Sequence, residues 1–517
     1  MMYDVVIIGG GLGGLECGVL LSKAGKSVAV IEQGARLGGC IQSYKRGGLT
    51  FDTGFHYVGG IGEGQSLYGA FRLLGLTDLP WQRMDDHFDI VNIGGREYPF
   101  AQGYDNFRDT LTACFPKEKE ALSRYVDMLR DTSAHQLDIL KQPSAATDYT
   151  TSLSGTTPFE TNAYDYLTAT FSDTTLINVL SGTSIKMELR KKSLPLFTFA
   201  HVNSGYIESS WRLRGDGQMI ADKLADTIRG NGGTVICGKH VEELVEKDGK
   251  ITSSLCSDGS RYEGKSFISD VNPSLTCAMI RHSERIRKIY RRRMASLPNT
   301  TGMFTASLVL KPGAIRYFNH NEYVYSDDAN VWDIHEQNMP VRCVMISCKV
   351  PVDGTDNISE VQTVTANRSS TTATQPSVQI DLLTPMSYSA CLQWQDTTVA
   401  HRDDGYETMK KRITDECIAL AEHAIPGIGD MVEHCYTSTP LTYRDYTGTP
   451  EGSAYGIRKD CNDPLSTMIT PKTPVENLYL TGQSLILHGL HGVTMTALMT
   501  CSHILGSDYI IEQLHNI

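Results

Sequence analysis

The chain opens on a glycine-rich turn set between two apolar runs, and that arrangement dictates how its first part folds. Asp4-Val-Val-Ile-Ile8 leads straight into Gly9-x-Gly11-x-x-Gly14. A helix-like stretch follows, and then Ser27-Val-Ala-Val-Ile-Glu32 ends in an acid eighteen positions past Gly14. Strand, glycine turn, helix and acid-tipped strand in this order make the βαβ unit that holds a dinucleotide. Gly9 permits the tight turn, Gly11 lets backbone approach a pyrophosphate, and Gly14 lets helix pack on strand. Leu12 and Gly13 begin a helix whose unpaired N–H groups and partial positive charge favour phosphate. The carboxylate of Glu32 is suited to accept hydrogen bonds from a ribose. No second fingerprint follows, since Gly230-Asn-Gly-Gly233 lacks the preceding apolar strand and the spacing.

A nicotinamide domain usually continues into another βα unit here. This chain instead gives Arg36-Leu-Gly38-Gly39, then Phe51-Asp52-Thr-Gly54-Phe-His56-Tyr-Val-Gly59-Gly60. Such backbone suits close approach to a large flat ring system. The pattern resembles the flavoprotein superfamily of amine oxidases, protoporphyrinogen oxidase and phytoene desaturase. Asp52 to Gly59 is most similar to its carotenoid isomerase and retinol saturase branch. The resemblance implies FAD as cofactor, with Arg36, Gly38 and Gly39 among the residues that bind it. It also implies that the strand at His240-Val241 returns to the nucleotide domain, where the Val241 backbone meets the adenine. Near the C-terminus, Asn477-Leu-Tyr-Leu-Thr-Gly482-Gln483 and Leu487-His488-Gly-Leu-His491-Gly492-Val493-Thr494 match the superfamily again. That match implies a helix N-terminus against the flavin, with its dipole stabilising a reduced, anionic ring. Gly482, Gly492, Val493 and Thr494 are the contacts it suggests.

Bulk properties bound the rest. The 517 residues exceed one ordinary core, so two domains are expected. The formal charge of −12 argues against a nucleic-acid partner, which needs Lys and Arg. Thirteen cysteines without a Cys-x-x-Cys pair read as reduced thiols rather than a disulfide framework. The chain enters its first strand by Tyr3 with no basic n-region, which makes the cytoplasm the expected compartment. No window offers the ~20 nearly uncharged residues of a membrane span. Arg281 to Leu297, however, reads as a basic amphipathic helix. A solvated face is its plain reading, and peripheral contact with anionic lipid is the alternative.

The expected fold is α/β: a discontinuous Rossmann-type FAD-binding domain with an inserted α+β substrate domain on a mainly antiparallel sheet. Residues 1–75, 206–295 and 465–517 are assigned to the FAD-binding domain, and 76–205 and 296–464 to the substrate or lid domain. From about Leu76 the character changes, and the stretches Asp105–Phe115 and Lys117–Leu140 read as helix-like from their apolar spacing of three and four. Residues 142–158 and 359–377 read as Ser/Thr-rich loops. Thr305–Leu310, Val344–Val350 and Val378–Leu383 are β-branched runs, and Tyr406–Ile425 reads as a helix stopped by Pro426-Gly427.

The resemblance implies chemistry carried by the flavin and positioned by the protein. A desaturase, a saturase or an isomerase of polyene, carotenoid, retinoid or related isoprenoid double bonds is the expected function. An amine or protoporphyrinogen oxidase is the alternative. The absence of Tyr, Phe and Trp from Thr481–Val493 weighs for the first, because amine oxidases often carry aromatics there. The expected ligand is an apolar small molecule in a long tunnel with few buried charges. No catalytic residue is assigned, but His56, His488 and His491 flank the flavin motifs and are the proton-transfer candidates. No metal is expected: His488 and His491 have no carboxylate or thiolate beside them. Cys343 and Cys348 read as core rather than as a redox pair. Oligomeric state stays open.

Overall fold

A computed structural model describes residues 2–141, 158–327, 330–336, 340–351 and 379–515. Both Ser/Thr-rich loops therefore fall almost wholly outside the described residues.

Two sheets organise the chain, each with seven strands. The first runs Thr234–Ile236, Val28–Ile31, Met2–Ile8, Arg261–Ser269, Lys250–Cys256 and Val241–Lys247. Its left half is parallel, with Val5 opposite Val28 and Ile8 opposite both Ile31 and Ser269. Its right half is an antiparallel meander, turned at Asp248-Gly249 and Asp258-Gly259. The strand Arg261–Ser269 changes partner along its length: it pairs Lys250–Cys256 near its start and Leu478–Leu480, in parallel, near its end. Residues from both ends of the chain thus meet on one strand.

The period-2 alternation of a strand puts Val5 and Ile7 on one face and Val6 and Ile8 on the other. The helices Leu12–Lys23, Gln218–Gly230 and Gly489–Leu505 supply Leu15, Leu224 and Leu498 to the core on the first face. Gly14 sits where that packing is closest, since a Cβ there would collide with the Gly9 carbonyl. A further helix, Ser507–His515, follows the glycine-opened one.

The second sheet runs Val432–Ser438, Gly302–Leu310, Gln379–Met386, Cys343–Cys348, Asn321–Tyr325, His87–Ile93 and Arg96–Ala101. It is antiparallel except where Asn321–Tyr325 runs parallel to His87–Ile93. One face carries Phe304, Leu308, Val344 and Ile346 against the helix Asp404–Ala421. The other carries Met303, Met345 and Leu383. Cys343 and Cys348 lie on opposite faces, in different cores.

Two local readings change, and the hairpin His87–Ala101 is an element the sequence reading did not assign; its turn is Gly94-Gly95, both with positive φ, as a tight two-residue connection requires. The basic segment is helical only over Lys288–Ser296. Its Ile289 is exposed, while Ile286 and Met294 are buried. The segment Lys117–Leu140 is interrupted: its main helix ends at Ala134, and a short turn of helix begins at Asp138.

Candidate cofactor and substrate site

A cleft of about 1600 Å³ runs between the carboxyl ends of the parallel strands and the second face of the antiparallel sheet. One part of its wall is a glycine cradle. Gly9, Gly11 and Gly13 come from the first turn, Gly38 and Gly39 from the loop after Glu32, and Gly482 from the loop that follows the strand Leu478–Leu480. Gly9, Gly38 and Gly482 take φ values of +99°, +108° and +94°, a region that disfavours other residues. Gly38 N donates to Gly10 O at 2.8 Å, so the two loops close on one another. The helix Leu12–Lys23 starts from Gly11, which offers no side-chain cap; Gly14 N donates to Asp270, while Leu12 and Gly13, ahead of it, line the cleft. These side-chain-free walls and uncapped amides fit a dinucleotide.

Glu32 lines the cleft, and its carboxylate accepts from Gly10 N at 2.7 Å and Gly34 N at 2.6 Å. Arg36, Leu12, Val241 and Val493 line it too. Arg36 donates to Ser43 O at 2.6 Å, which braces the loop. Other expected contacts stand behind the wall. Gly14 packs under Gly9, and a Cβ on Gly492 would meet Leu487 Cβ at 2.5 Å. Thr494 is fully buried and donates to Glu16 Oε1 at 2.7 Å.

The three histidines part company. His56 lines the cleft with Nδ1 3.7 Å from Asp381 Oδ2, and its Nε2 is buried with no hydrogen-bond partner among the described residues. Burial pushes its pKa down, against the pull of Asp381. His488 also lines the cleft; its Nε2 lies 3.1 Å from the Lys186 carbonyl and its ring 4.7 Å from that of Tyr455. His491 is directed elsewhere, with Nε2 2.6 Å from Gln136 Oε1. Burial pushes His488 and His491 down to about 4, so both are neutral at pH 7 and the contacted nitrogens are N–H donors.

Four titratable groups at and behind this site were not singled out in the sequence. Asp270, at the end of Arg261–Ser269, stands among the cradle glycines; a Cβ on Gly11 would lie 2.5 Å from its Oδ2. Burial pushes it up to about 7, against the hydrogen bond from Gly14 N. An acid at the tip of a parallel strand was the available signal. Glu16, inside the first helix, is buried and held well above the usual carboxylate range. Lys459 donates to the carbonyls of Thr467 at 3.2 Å, Ser484 at 2.9 Å and Leu485, which pins the loop leading to His488. Lys186 lines the cleft where the second sheet walls it. Nothing in the sequence marks either lysine.

The antiparallel-sheet side brings Met303, Met345 and Leu383 to the cleft, together with Tyr57, Tyr206, Tyr443 and Tyr455. Aromatic side chains thus reach it from elements other than Thr481–Val493. With Lys186, His56 and His488 present, this chamber is less uniformly apolar than a tunnel for a pure hydrocarbon. Among the described residues no group of three His, Cys, Asp or Glu side chains is placed to hold a metal, and no helix is long and apolar enough to cross a membrane.

Comparison with known proteins agrees with this architecture. Residues 7–73 match the family model of an NAD(P)-binding Rossmann-like domain. The chain is 25% identical over 554 residues to an all-trans-retinol 13,14-reductase of Danio rerio, covering 99% of this chain and 86% of that one. It is 23% identical over 544 residues to prolycopene isomerase 1, chloroplastic, of an Oncidium hybrid cultivar, covering 99% and 85%. Among solved structures, putrescine oxidase bound to putrescine shares the fold, with a TM-score of 0.63, 15% identity and coverage of 98% and 99%. The site is that of a flavin or dinucleotide cofactor.

Proposed function

We propose that this chain, a member of the phytoene desaturase, carotenoid isomerase and retinol saturase family of amine oxidase-like flavoproteins, is an FAD-dependent oxidoreductase acting on double bonds of a polyene, retinoid or related isoprenoid lipid. The observation that carries the reading is the match, over 99% of this chain, to a retinol reductase and a carotenoid isomerase. The continuous cleft, from glycine cradle to sheet-walled chamber, is consistent with it. An amine oxidase shares the fold but only at 15% identity, so that alternative is not favoured.

FAD, when bound, supplies reversible hydride transfer. The chain's residues bind, orient and shield. Residues 1–75, 206–295 and 465–517 form the FAD-binding part, and 76–205 and 296–464 cover the substrate. Gly9, Gly11, Gly13, Gly38, Gly39 and Gly482 admit the cofactor backbone, with the amides of the Leu12–Lys23 helix at its phosphates. Glu32, Arg36 and Val241 would serve the adenosine end, Gly14 would support the first turn beneath Gly9, and Val493, with Gly492 and Thr494 beside it, would serve the ring end. His56 is the proton-transfer group favoured by position, because Nε2 faces no other partner among the described residues. The protein works in the cytoplasm or at a membrane surface.

The test is extraction of the purified protein, with absorbance and mass analysis of any co-purified lipid. A polyene or isoprenoid held in fixed ratio to flavin supports the reading. A flavin other than FAD, or a polar amine as the retained ligand, contradicts it.

A further inference from the structure

The sheet-walled chamber holds an ammonium group whose partners do not use it up. The Lys186 side chain is only 9% exposed, and Nζ lies 3.8 Å from Asp89 Oδ2, beyond hydrogen-bond length. Asp89 is already engaged: Oδ2 accepts from the Tyr57 hydroxyl at 2.9 Å and Oδ1 from Asn321 Nδ2 at 2.8 Å. Asn321 is fixed in turn by Arg212 at 2.8 Å. Burial raises the Asp89 pKa against the pull of Lys186. Otherwise Nζ rests on aromatic faces, 4.1 Å from the Tyr206 ring centroid and 5.6 Å from that of Tyr57.

A buried charge is costly unless paired and hydrogen-bonded, and among the described residues Lys186 has an ion-pair partner in Asp89 but no acceptor within hydrogen-bond length. Burial lowers its pKa to about 8, which leaves it mostly charged at neutral pH. Its backbone is anchored as well, since the Lys186 carbonyl accepts from His488, immediately before the helix Gly489–Leu505. The Lys186 backbone therefore has a fixed place relative to the helix Gly489–Leu505, and the Tyr206 and Tyr57 rings flank Nζ. Apolar side chains line the same chamber, among them Ile185, Met303, Met345 and Leu383.

We propose that Lys186 anchors a carboxylate at one end of a long unsaturated substrate, so that the favoured ligands are polyene or polyunsaturated acids rather than hydrocarbons, alcohols or esters. This rests on the reading of the cleft as a polyene site and narrows its ligand class. The acid head supplies the charge-assisted acceptor that Lys186 lacks. The apolar walls take the chain, which gains about 25 cal/mol per Å² of buried apolar surface. One end held by charge fixes which double bond meets the cofactor.

The experiment is a fluorescence titration of the FAD-loaded protein with parinaric acid, a conjugated C18 tetraenoic acid that brightens in apolar surroundings, and with its methyl ester. The acid is expected to bind at least about tenfold more tightly than the ester. Lys186→Met should abolish that preference while leaving ester affinity within about twofold, and Lys186→Arg should retain it. Equal affinity of acid and ester in the parent protein, which needs no variant, overturns the anchor and leaves the polyene reading standing. Binding of neither probe overturns both.

Discussion

The Thr494 hydroxyl donates to Glu16 Oε1 at 2.7 Å, joining the first helix of the chain to the helix that opens at Gly489, inside the core. The second Glu16 oxygen is buried without a partner among the described residues. The bond fixes the two helices whose N-termini face the cofactor cleft, and it makes a testable demand on pH.

Burial holds the Glu16 pKa well above its ordinary value, with Asp270 adding to the effect. The folded state then keeps a proton that the unfolded chain releases near pH 4. Stability from this group is complete below that pH and declines as pH rises towards the folded pKa. Glu16→Gln retains the acceptor and removes the titration. Thermal melts between about pH 5 and about pH 8 should fall less steeply for the variant, whose Tm at the upper end should match or exceed that of the parent. An unchanged slope would contradict this.

Thr494→Val leaves the Glu16 oxygen without its donor in a buried place. The expected loss is about 1–3 kcal/mol by urea unfolding, with flavin content preserved at saturating FAD.

Gly11→Val places a side chain in the cradle, where even a Cβ would stand 2.5 Å from Asp270 Oδ2. The purified variant should be colourless where the parent is yellow. A stoichiometrically yellow variant would remove the cradle from the cofactor site.

Glu32→Ala should weaken FAD by about 1.5–3 kcal/mol, the scale of a bond to a charged acceptor, in titrations of apoprotein. Glu32→Gln separates two effects. It leaves one oxygen for the Gly10 or Gly34 amide but removes the charge, so an intermediate affinity is expected.

What the sequence disclosed follows from chain locality. The fingerprint at Gly9–Glu32 and the C-terminal run at Gly482–Thr494 are contiguous, and each carries its backbone demands in its own glycines. The antiparallel sheet was readable from the β-branched runs at Thr305, Val344 and Val378. The hairpin His87–Ala101 was missed because its turn signal, Gly94-Gly95, stands between helical segments and its strands complete a sheet made mostly two hundred residues later. Lys186, Asp89 and Lys459 left no local trace. Their meaning comes from partners brought together by folding, such as Asn321 beside Asp89 and the Ser484 carbonyl beside Lys459. The buried ammonium in the cleft was illegible for the same reason: apolar content can be counted along a chain, whereas the place of one lysine is seen only in the fold.

The most direct test of the account is anaerobic incubation of the FAD-loaded protein, oxidised or dithionite-reduced, with all-trans-retinol, carotenoid and polyene-acid candidates, followed by flavin absorbance and chromatography of the products. The account predicts that at least one polyene gains, loses or isomerises a double bond, with flavin oxidation or reduction matching any net change. Reduction of the flavin by small amines, with every polyene recovered unaltered under both conditions, would contradict it.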